Sequence, residues 1–383
     1  MTNKLIYLDN AAAMPINPTA YETLIASQKN DFANPTGTNR LSIALNKKID
    51  QCRTDILHWL KASALYQLIF TSSATESNNT MIQGIHLQPG EQLFFSDADH
   101  PSQSVPCKAW ESQGIKTKQI PLLKSGEINT EHLLDSLNSQ TKLICLTHVN
   151  GLAGIYYDVA AIAKQIKHKQ PNCHIHVDAA QGIGKMPLSL KDNDIDSLVI
   201  SSYKLGGPKG IAALIIKKSA KIKPLLLGGP HEYGLRASTP ATPLIFGFHK
   251  AVELSLQARE IHYEQVKQLN QIARILLAKS NQIEIPFSLD YTSPYFLLLL
   301  IPNIPADLIS RLLEQKNIIV NTRTSCSAKD NKPTPMLTAL QIDTAYHKNV
   351  IRVSLSYLLT EEDMRFFCQT LLEIVQQLSQ LTK

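Results

Sequence analysis

Residues 196–210 have the sequence D-S-L-V-I-S-S-Y-K-L-G-G-P-K-G. The apolar run from Leu198 to Ile200 predicts a short buried strand. The glycines and proline that follow predict a tight turn, so Lys204 stands where the strand leaves the core. An amine there loses hydration, which favours its uncharged form and allows attack on an aldehyde. The alternative is an ordinary solvated lysine at a strand end.

A carboxylate follows a second short strand upstream. Residues 174–181 have the sequence H-I-H-V-D-A-A-Q, in which Asp178 ends the apolar strand. Ligands of open α/β sheets bind at the carboxyl ends of strands, where we expect Asp178 and Lys204 to lie. This pair suits pyridoxal 5′-phosphate (PLP), because the lysine binds its aldehyde and the carboxylate keeps its pyridine nitrogen protonated. Taken alone, Asp178 is equally well explained as a turn or helix-capping residue.

The composition is that of a globular protein large enough for two compact units. The 383 residues are 44% hydrophobic and 18% charged, which is typical of chains that bury a core. The net charge of +6 is spread along the chain, so we expect no binding to nucleic acid. We find no signal peptide and no apolar run of about 18 residues, which predicts a cytoplasmic protein without membrane contact.

The six cysteines show no C-x-x-C pair and no zinc-ligand spacing. We therefore predict no metal site. In a cytosolic chain we expect them to be thiols, most of them buried and inert. Cys145 is expected inside a strand and Cys368 on a helix.

Strand-like and helix-like segments alternate from residue 42 to residue 218. Strands are predicted at 68–72, 92–96, 143–149, 174–177, 197–202 and 212–216, and helices at 42–60 and 159–168. This alternation predicts an α/β fold with a mostly parallel central sheet and helices on both faces. A long helical pattern after residue 245 precedes predicted strands near 295–301 and 351–355 and predicted helices near 306–316 and 360–378. These segments predict a smaller second domain, in which Thr360 and Asp363 resemble a helix capping box.

Two further motifs follow predicted strands. Residues 70–79, F-T-S-S-A-T-E-S-N-N, predict a strand that leads into a helix N-terminus, where free N–H groups attract anions. Thr75 can add its hydroxyl there, although an ordinary helix cap is the favoured explanation when the motif is taken alone. His100 lies in S-D-A-D-H-P-S at 96–102, and its ordinary pKa near 6.5 suits proton transfer. Taken alone, His100 is more simply a surface or structural histidine.

Two chemically notable residues occur near the C-terminus. Residues 321–330, N-T-R-T-S-C-S-A-K-D, predict an exposed loop in which Arg323 and Lys329 favour the thiolate of Cys326. A surface cysteine without function is the alternative. Arg352 lies in the apolar strand segment I-R-V-S, where a carboxylate partner would compensate its buried charge.

Together these motifs resemble those of the cysteine desulfurase family. The members of this family are class-V aminotransferases of PLP fold type I. The resemblance extends from Y-L-D-N-A-A at residues 7–12 to the C-terminal helix. It implies a PLP-dependent transferase fold with a large PLP-binding domain at 16–245. The small domain would consist of residues 1–15 and 246–383 and would carry the cysteine loop and the substrate-binding arginine.

The resemblance also implies a role for each matching residue. Lys204 would anchor PLP, Asp178 would hold the ring nitrogen, and His100 would stack on the ring and take part in proton transfer. Gln181 would bind the phenolic oxygen, and Asn150 would contact both the cofactor and the substrate carboxylate.

Other matching residues would bind the phosphate or the substrate. The phosphate ligands would be Ala74, Thr75, Ser201 and Tyr203. Thr239, in G-G-P-H-E-Y-G-L-R-A-S-T at 228–239, would reach the phosphate of a neighbouring subunit, which implies a homodimer. Arg352 would hold the substrate carboxylate. The chain departs from the family pattern at Ser73, at Gly151-Leu152, at Tyr203 and in the cysteine loop, which lacks a glycine.

The implied reaction converts L-cysteine into L-alanine. The sulfur would be left as a persulfide on Cys326, for transfer to an acceptor protein such as one in iron–sulfur cluster assembly. Fold and cofactor alone do not exclude a selenocysteine lyase or another enzyme of the same fold. The departures also leave open a catalytically silent paralogue that acts as a binding partner.

Overall fold

The computed structural model describes residues 4–191, 194–322 and 334–381. Its largest element is a seven-stranded sheet. From one edge to the other, the strands are β2 (Tyr66–Thr71), β8 (Ala212–Lys217), β7 (Ser197–Ser201), β6 (His174–Asp178), β5 (Thr141–Thr147), β3 (Gln92–Phe95) and β4 (Lys116–Gln119). Strand β8 runs antiparallel to both of its neighbours, whereas the other pairings are parallel. The predicted mostly parallel sheet is confirmed.

Helices accompany this sheet along the chain. They are α1 (Pro18–Asn30), α2 (Arg40–Trp59), α3 (Ala74–Gly84), α4 (Pro101–Ala109), α5 (Thr130–Ser136), α6 (Val159–Lys169) and α7 (Thr242–Gln257). Alternate side chains of a strand join different apolar cores, as expected for a sheet covered on both faces. In β7, Leu198 and Ile200 share a core with Ile49 of α2, whereas Val199 shares one with Met81 of α3.

The C-terminal part of the chain builds two small sheets. Strand β1 (Ile6–Tyr7) pairs in parallel with β10 (Ile318–Ile319), and β9 (Phe296–Leu300) pairs antiparallel with β11 (Val350–Ser354). The helices here are α8 (Arg259–Leu277), α9 (Ala306–Glu314), α10 (Pro335–Ala339) and α11 (Glu361–Leu381).

One apolar core joins the N-terminal strand to these late elements. Ile6 and Leu8 are buried in the same cluster as Val266 of α8 and Phe367 of α11. This shared core supports a discontinuous small domain. The proposed limits of the two domains, 16–245 for one and 1–15 with 246–383 for the other, stay a prediction.

Most predicted elements match the structure to within a few residues. The capping box is confirmed, because the Thr360 backbone N–H donates to Asp363 Oδ2 at 2.9 Å and the Asp363 N–H donates to Thr360 Oγ1 at 3.2 Å. The helical pattern after residue 245 is two helices, α7 and α8, which meet at Ala258.

The described cysteines agree with the sequence-based prediction. Cys145 is buried in β5 and Cys368 is buried in α11. The other cysteines within the described ranges, Cys52, Cys107 and Cys173, are also free and buried. No helix in the described part of the chain is long and apolar enough to cross a bilayer.

Candidate active site

A cavity of about 220 Å³ lies beside the carboxyl ends of β5, β6 and β7. Each of these strands contributes its last residue to the wall: Thr147, Asp178 and Ser201. The structure brings to this cavity the predicted site residues Ala74, Thr75, His100, Asp178, Gln181, Ser201, Tyr203, Lys204 and Arg352. Parallel strands end on the same edge of a sheet, which explains why residues far apart in sequence meet here.

Lys204 reaches the cavity from a single helical turn that follows β7. Gly206 (φ +79°) and Gly210 (φ +88°) reverse the chain beyond it in a conformation that favours glycine. The Lys204 amine donates hydrogen bonds to the carbonyl of Ala12 at 2.9 Å and to that of Ala11. Burial is the main cause that lowers the pKa of Lys204 to about 7, and the cations of Lys185 and Arg352 add to it. A large fraction of this amine is therefore uncharged at neutral pH.

Asp178 is fixed by donors on both oxygens. Its Oδ1 accepts from the backbone N–H of Ala180 at 2.9 Å, and its Oδ2 accepts from Asn78 Nδ2 at 2.8 Å. Asn78 lies on α3, is fully buried and also donates to Ser102 Oγ at 2.9 Å. Two accepting oxygens suit a carboxylate held in one orientation.

The other end of the Asn78 amide fixes a buried histidine. Because Nδ2 faces Asp178, Oδ1 must accept from His176 Nε2, which lies 3.0 Å away. His176 therefore carries its proton on Nε2, and its Nδ1 accepts from Ser197 Oγ at 2.8 Å. Burial lowers the pKa of His176 to about 3, so the ring stays neutral. Sequence reasoning missed Asn78, although it lies one helical turn after Thr75 in a quoted motif.

We expect replacement of Asn78 by leucine to lower the free energy of unfolding by about 2 kcal/mol, because it leaves buried polar partners unsatisfied. Chemical denaturation measures this loss. The matched control is Asn79→Leu on the same helix, whose partly exposed amide donates to the Thr75 carbonyl at 2.9 Å. It should change stability by no more than about 0.5 kcal/mol. Equal stability of the two variants would contradict the proposed positioning of Asp178.

His100 begins α4 and faces the same cavity. Its Nδ1 accepts from the Ser102 backbone N–H at 3.1 Å and lies 2.8 Å from Ser102 Oγ. The ring keeps some exposure through the cavity, yet burial is the main cause that lowers the pKa of His100. Because the Ser102 N–H donates to Nδ1, the neutral form of the ring carries its proton on Nε2, which is the nitrogen left for a ligand.

The phosphate end predicted for the cavity contains a helix N-terminus and several hydroxyl groups. Ser73 caps α3 by accepting from the Glu76 N–H at 3.1 Å, and the N–H groups of Ala74 and Thr75 make no hydrogen bond to any residue that the structure describes. Ser201 Oγ is buried and has no hydrogen-bond partner among the described residues. Tyr203 and Thr75 also line this wall.

Arg352 lies on β11, lines the cavity and forms an ion pair with Asp9. Its Nη2 lies 2.7 Å from Asp9 Oδ1, and its Nη1 donates to the Gly151 carbonyl at 2.8 Å. The side chains of Arg352 and Asp9 are only 7% and 15% exposed, so the charges are largely desolvated. Arg352 Nε is buried without a partner among the described residues and remains as a donor. Asp9, which sequence reasoning left without a role, orients this arginine.

Two predicted site residues within the described ranges, Asn150 and Thr239, do not line the cavity. Asn150 is buried in the adjoining turn, where its Oδ1 accepts from the N–H groups of Leu152 and Ala153. Its Nδ2 donates to the carbonyl of Ala98 at 2.7 Å. Thr239 is exposed in the loop after β8. Cys326 lies outside the described residues.

The residues present fit PLP. Gln181 Oε1, like Ser201 Oγ, is buried with no hydrogen-bond partner in the described part of the chain, and both residues line the cavity. These groups would hold the polar substituents of PLP, and the N-terminus of α3 would hold its phosphate. Lys204 presents an amine for the aldehyde, and Asp178 presents a carboxylate for the ring nitrogen. The role of each residue stays a prediction.

Known proteins resemble this chain over nearly its whole length. A family model described as aminotransferase class V matches residues 6–367. A protein of Nostoc sp. named cysteine desulfurase is 29% identical over 381 residues, which cover 99% of this chain and 94% of that protein.

Solved structures also resemble this chain over most of its length. A NifS-like protein superposes with a TM-score of 0.90 at 26% identity, covering 97% of this chain and 100% of the other. A structure described as SspA in complex with cysteine has a TM-score of 0.79 at 27% identity and covers 91% of this chain and 98% of its own.

Proposed function

The chain belongs to the class-V aminotransferase family, and from this premise we propose that it is a PLP-dependent cysteine desulfurase. It converts L-cysteine into L-alanine and transfers the sulfur to Cys326 of its own chain. The observation that carries the proposal is the placement of the Lys204 amine and the Asp178 carboxylate on one cavity with Arg352. Full-length similarity to a cysteine desulfurase and to a structure holding cysteine supports the choice of substrate.

Each end of the cavity has its own task in this reaction. When bound, PLP supplies an electron-accepting ring that stabilises negative charge on the substrate α-carbon. Asp178 would keep the ring nitrogen protonated, and the Asn78 amide holds that carboxylate in place. Lys204 would hold the aldehyde, and its amine, with a pKa of about 7, is suited to take the substrate α-proton at neutral pH.

Arg352 binds the substrate carboxylate. A substrate carboxylate must approach a guanidinium that is already paired with Asp9, whose Oδ1 lies 2.7 Å from Nη2. Nε, which has no partner among the described residues, offers one hydrogen bond without displacing Asp9, and Asp9 and Gly151 occupy only part of the five N–H groups of the guanidinium. Asp9 therefore holds Arg352 aligned before substrate arrives.

Cys326 attacks the substrate sulfur. Its thiolate forms a sulfur–sulfur bond, the carbon–sulfur bond breaks, and the electron pair passes to the substrate β-carbon, which takes a proton. Return of the α-proton from the Lys204 amine to the α-carbon completes alanine. The flanks of its segment support this role, since Asn321 pairs with the Arg352 backbone and Met336 lines the cavity. Cys326 lies five residues beyond Asn321, a span that an extended chain covers in at most about 18 Å.

We further propose that the enzyme is a cytoplasmic homodimer with a protein sulfur acceptor. The loop that carries Thr239 is anchored to its own subunit by Arg236, which lies 2.8 Å from Glu76. Thr239 itself is exposed, and the nearby Leu227 is 85% exposed. An apolar surface next to an anchored loop suits contact with a second copy. Sedimentation of the purified protein at micromolar concentration tests the dimer.

The test of the function is incubation of the PLP-loaded protein with L-cysteine and a thiol reductant. We expect L-alanine and sulfide to appear in equal amounts and D-cysteine to give neither product. L-Selenocysteine in a parallel reaction measures the preference between sulfur and selenium. A yellow, PLP-loaded protein that forms no alanine from either substrate would contradict the proposal and favour a silent paralogue.

A further inference from the structure

A second cavity, of about 200 Å³, lies on the other side of Lys204. Residues of the N-terminal segment, α7, α8 and the end of β11 line it, and Lys204 borders both cavities. Nothing in the proposed desulfurase reaction uses this space. Its walls are mostly apolar, with contributions from Leu205, Leu254, Tyr295 and Leu355.

One buried cation, Lys185, lines this second cavity. Lys185 is only 7% exposed, and its amine has no hydrogen bond or ion pair within the described ranges. Its one described polar contact is with the face of the Tyr295 ring, whose centre is 5.7 Å from Nζ. A buried charge without a counter-ion is costly, so the site favours an anion.

The charge of Lys185 persists at neutral pH. Burial, and next the cation of Arg352, lower the pKa of Lys185 to about 8. Most of the amine is still protonated at pH 7. The field of Arg352 adds to the positive potential, which strengthens the preference for a negatively charged ligand group.

An acceptor on the same wall is also unsatisfied. Asn10 is 3% exposed and lines the second cavity. Its Nδ2 donates to the carbonyls of Tyr7 and Ser354, both at 2.9 Å. This leaves Oδ1 buried with no donor among the described residues. A ligand that satisfies both groups carries a carboxylate for Lys185 and an N–H or O–H donor for Asn10.

We propose that the second cavity binds a small α-amino or α-hydroxy acid. Its carboxylate pairs with Lys185, its amino or hydroxyl group donates to Asn10 Oδ1, and its short apolar side chain packs against Leu254 and Tyr295. The small volume excludes large side chains. L-Alanine, the product of the proposed reaction, has this chemistry, although the site itself does not depend on that reaction.

The test is calorimetric titration of the PLP-loaded protein with L-lactate, propionate and 1,2-propanediol. L-Lactate has the carboxylate and the hydroxyl but no amine that can react with PLP. We expect L-lactate to bind most tightly, propionate more weakly because it lacks the donor, and the diol not at all. Lys185→Met should weaken L-lactate binding by about tenfold or more, and Lys185→Arg should retain it.

A variant of the first cavity separates this site from the active site. Arg352→Gln removes the substrate-carboxylate ligand and should weaken L-lactate binding much less than Lys185→Met does, because it removes only a distant contribution to the potential, with Arg352→Lys as a second variant if the first fails to fold. Binding that survives Lys185→Met but is lost in Arg352→Gln would place L-lactate in the active site and overturn the proposal. Absence of any L-lactate binding would also overturn it, whether or not the protein proves to be a desulfurase.

Discussion

Replacement of Lys204 by alanine is expected to abolish covalent binding of PLP and to lower alanine formation from L-cysteine by about a thousandfold or more. The amine is both the attachment point for the aldehyde and the proposed base, so no other described group on the cavity replaces it. Absorbance of the PLP-treated, dialysed protein above 400 nm measures attachment. The matched control is Lys209→Ala, an exposed lysine of the same turn, which should behave like the unchanged protein.

The pH dependence of PLP attachment gives a sharper form of this test. Only the uncharged amine attacks the aldehyde, and burial lowers the pKa of Lys204 to about 7. The rate at which PLP-free protein binds PLP should therefore rise as pH increases through about 7 and level off above about 8. For an exposed lysine, the rate would continue to rise up to about pH 10. A rate that still climbs steeply between pH 8 and 10 would contradict the proposed environment of Lys204.

Replacement of Cys326 by serine should separate cofactor chemistry from sulfur transfer. The variant should keep the PLP absorbance and still change its spectrum on addition of L-cysteine, because Lys204, Asp178 and Arg352 are intact. Formation of alanine and sulfide should fall by about a thousandfold or more, since serine is a far weaker nucleophile than a thiolate. Product analysis after a fixed incubation measures both losses.

The control for this variant is Ser325→Ala, a change in the same segment that leaves the thiol in place. It should retain activity within a few-fold. Full activity of Cys326→Ser would refute the assignment of the nucleophile. Loss of the PLP absorbance in Cys326→Ser would show that the cysteine supports cofactor binding, and this account predicts no such effect.

The central sheet is predictable from local pattern because its strands are short apolar runs that end in polar or glycine-rich turns. The run from Leu198 to Ile200 needs no tertiary information to be assigned as a strand. Strand β1 is different, since Ile6–Tyr7 pairs with β10, more than 300 residues later. Such short strands depend on long-range pairing that no local window contains.

The candidate site likewise contains some residues that local sequence identifies and others that only the folded structure identifies. Lys204 and Asp178 stand out because each follows a strand, and the structure places both on one cavity. The residues that orient them do not stand out locally. Asn78 meets Asp178 across 100 positions of sequence, and Asp9 meets Arg352 across 343. These pairings arise from the crossing of chain segments, so they appear only in the folded structure.

Mass spectrometry of the PLP-loaded protein after treatment with L-cysteine tests the desulfurase assignment most directly. We expect one additional sulfur atom on the peptide that contains Cys326, removed by a thiol reductant with release of sulfide, and no such addition in Lys204→Ala. An unmodified Cys326 peptide from protein that forms alanine, or added sulfur that appears equally in Lys204→Ala, would contradict the account.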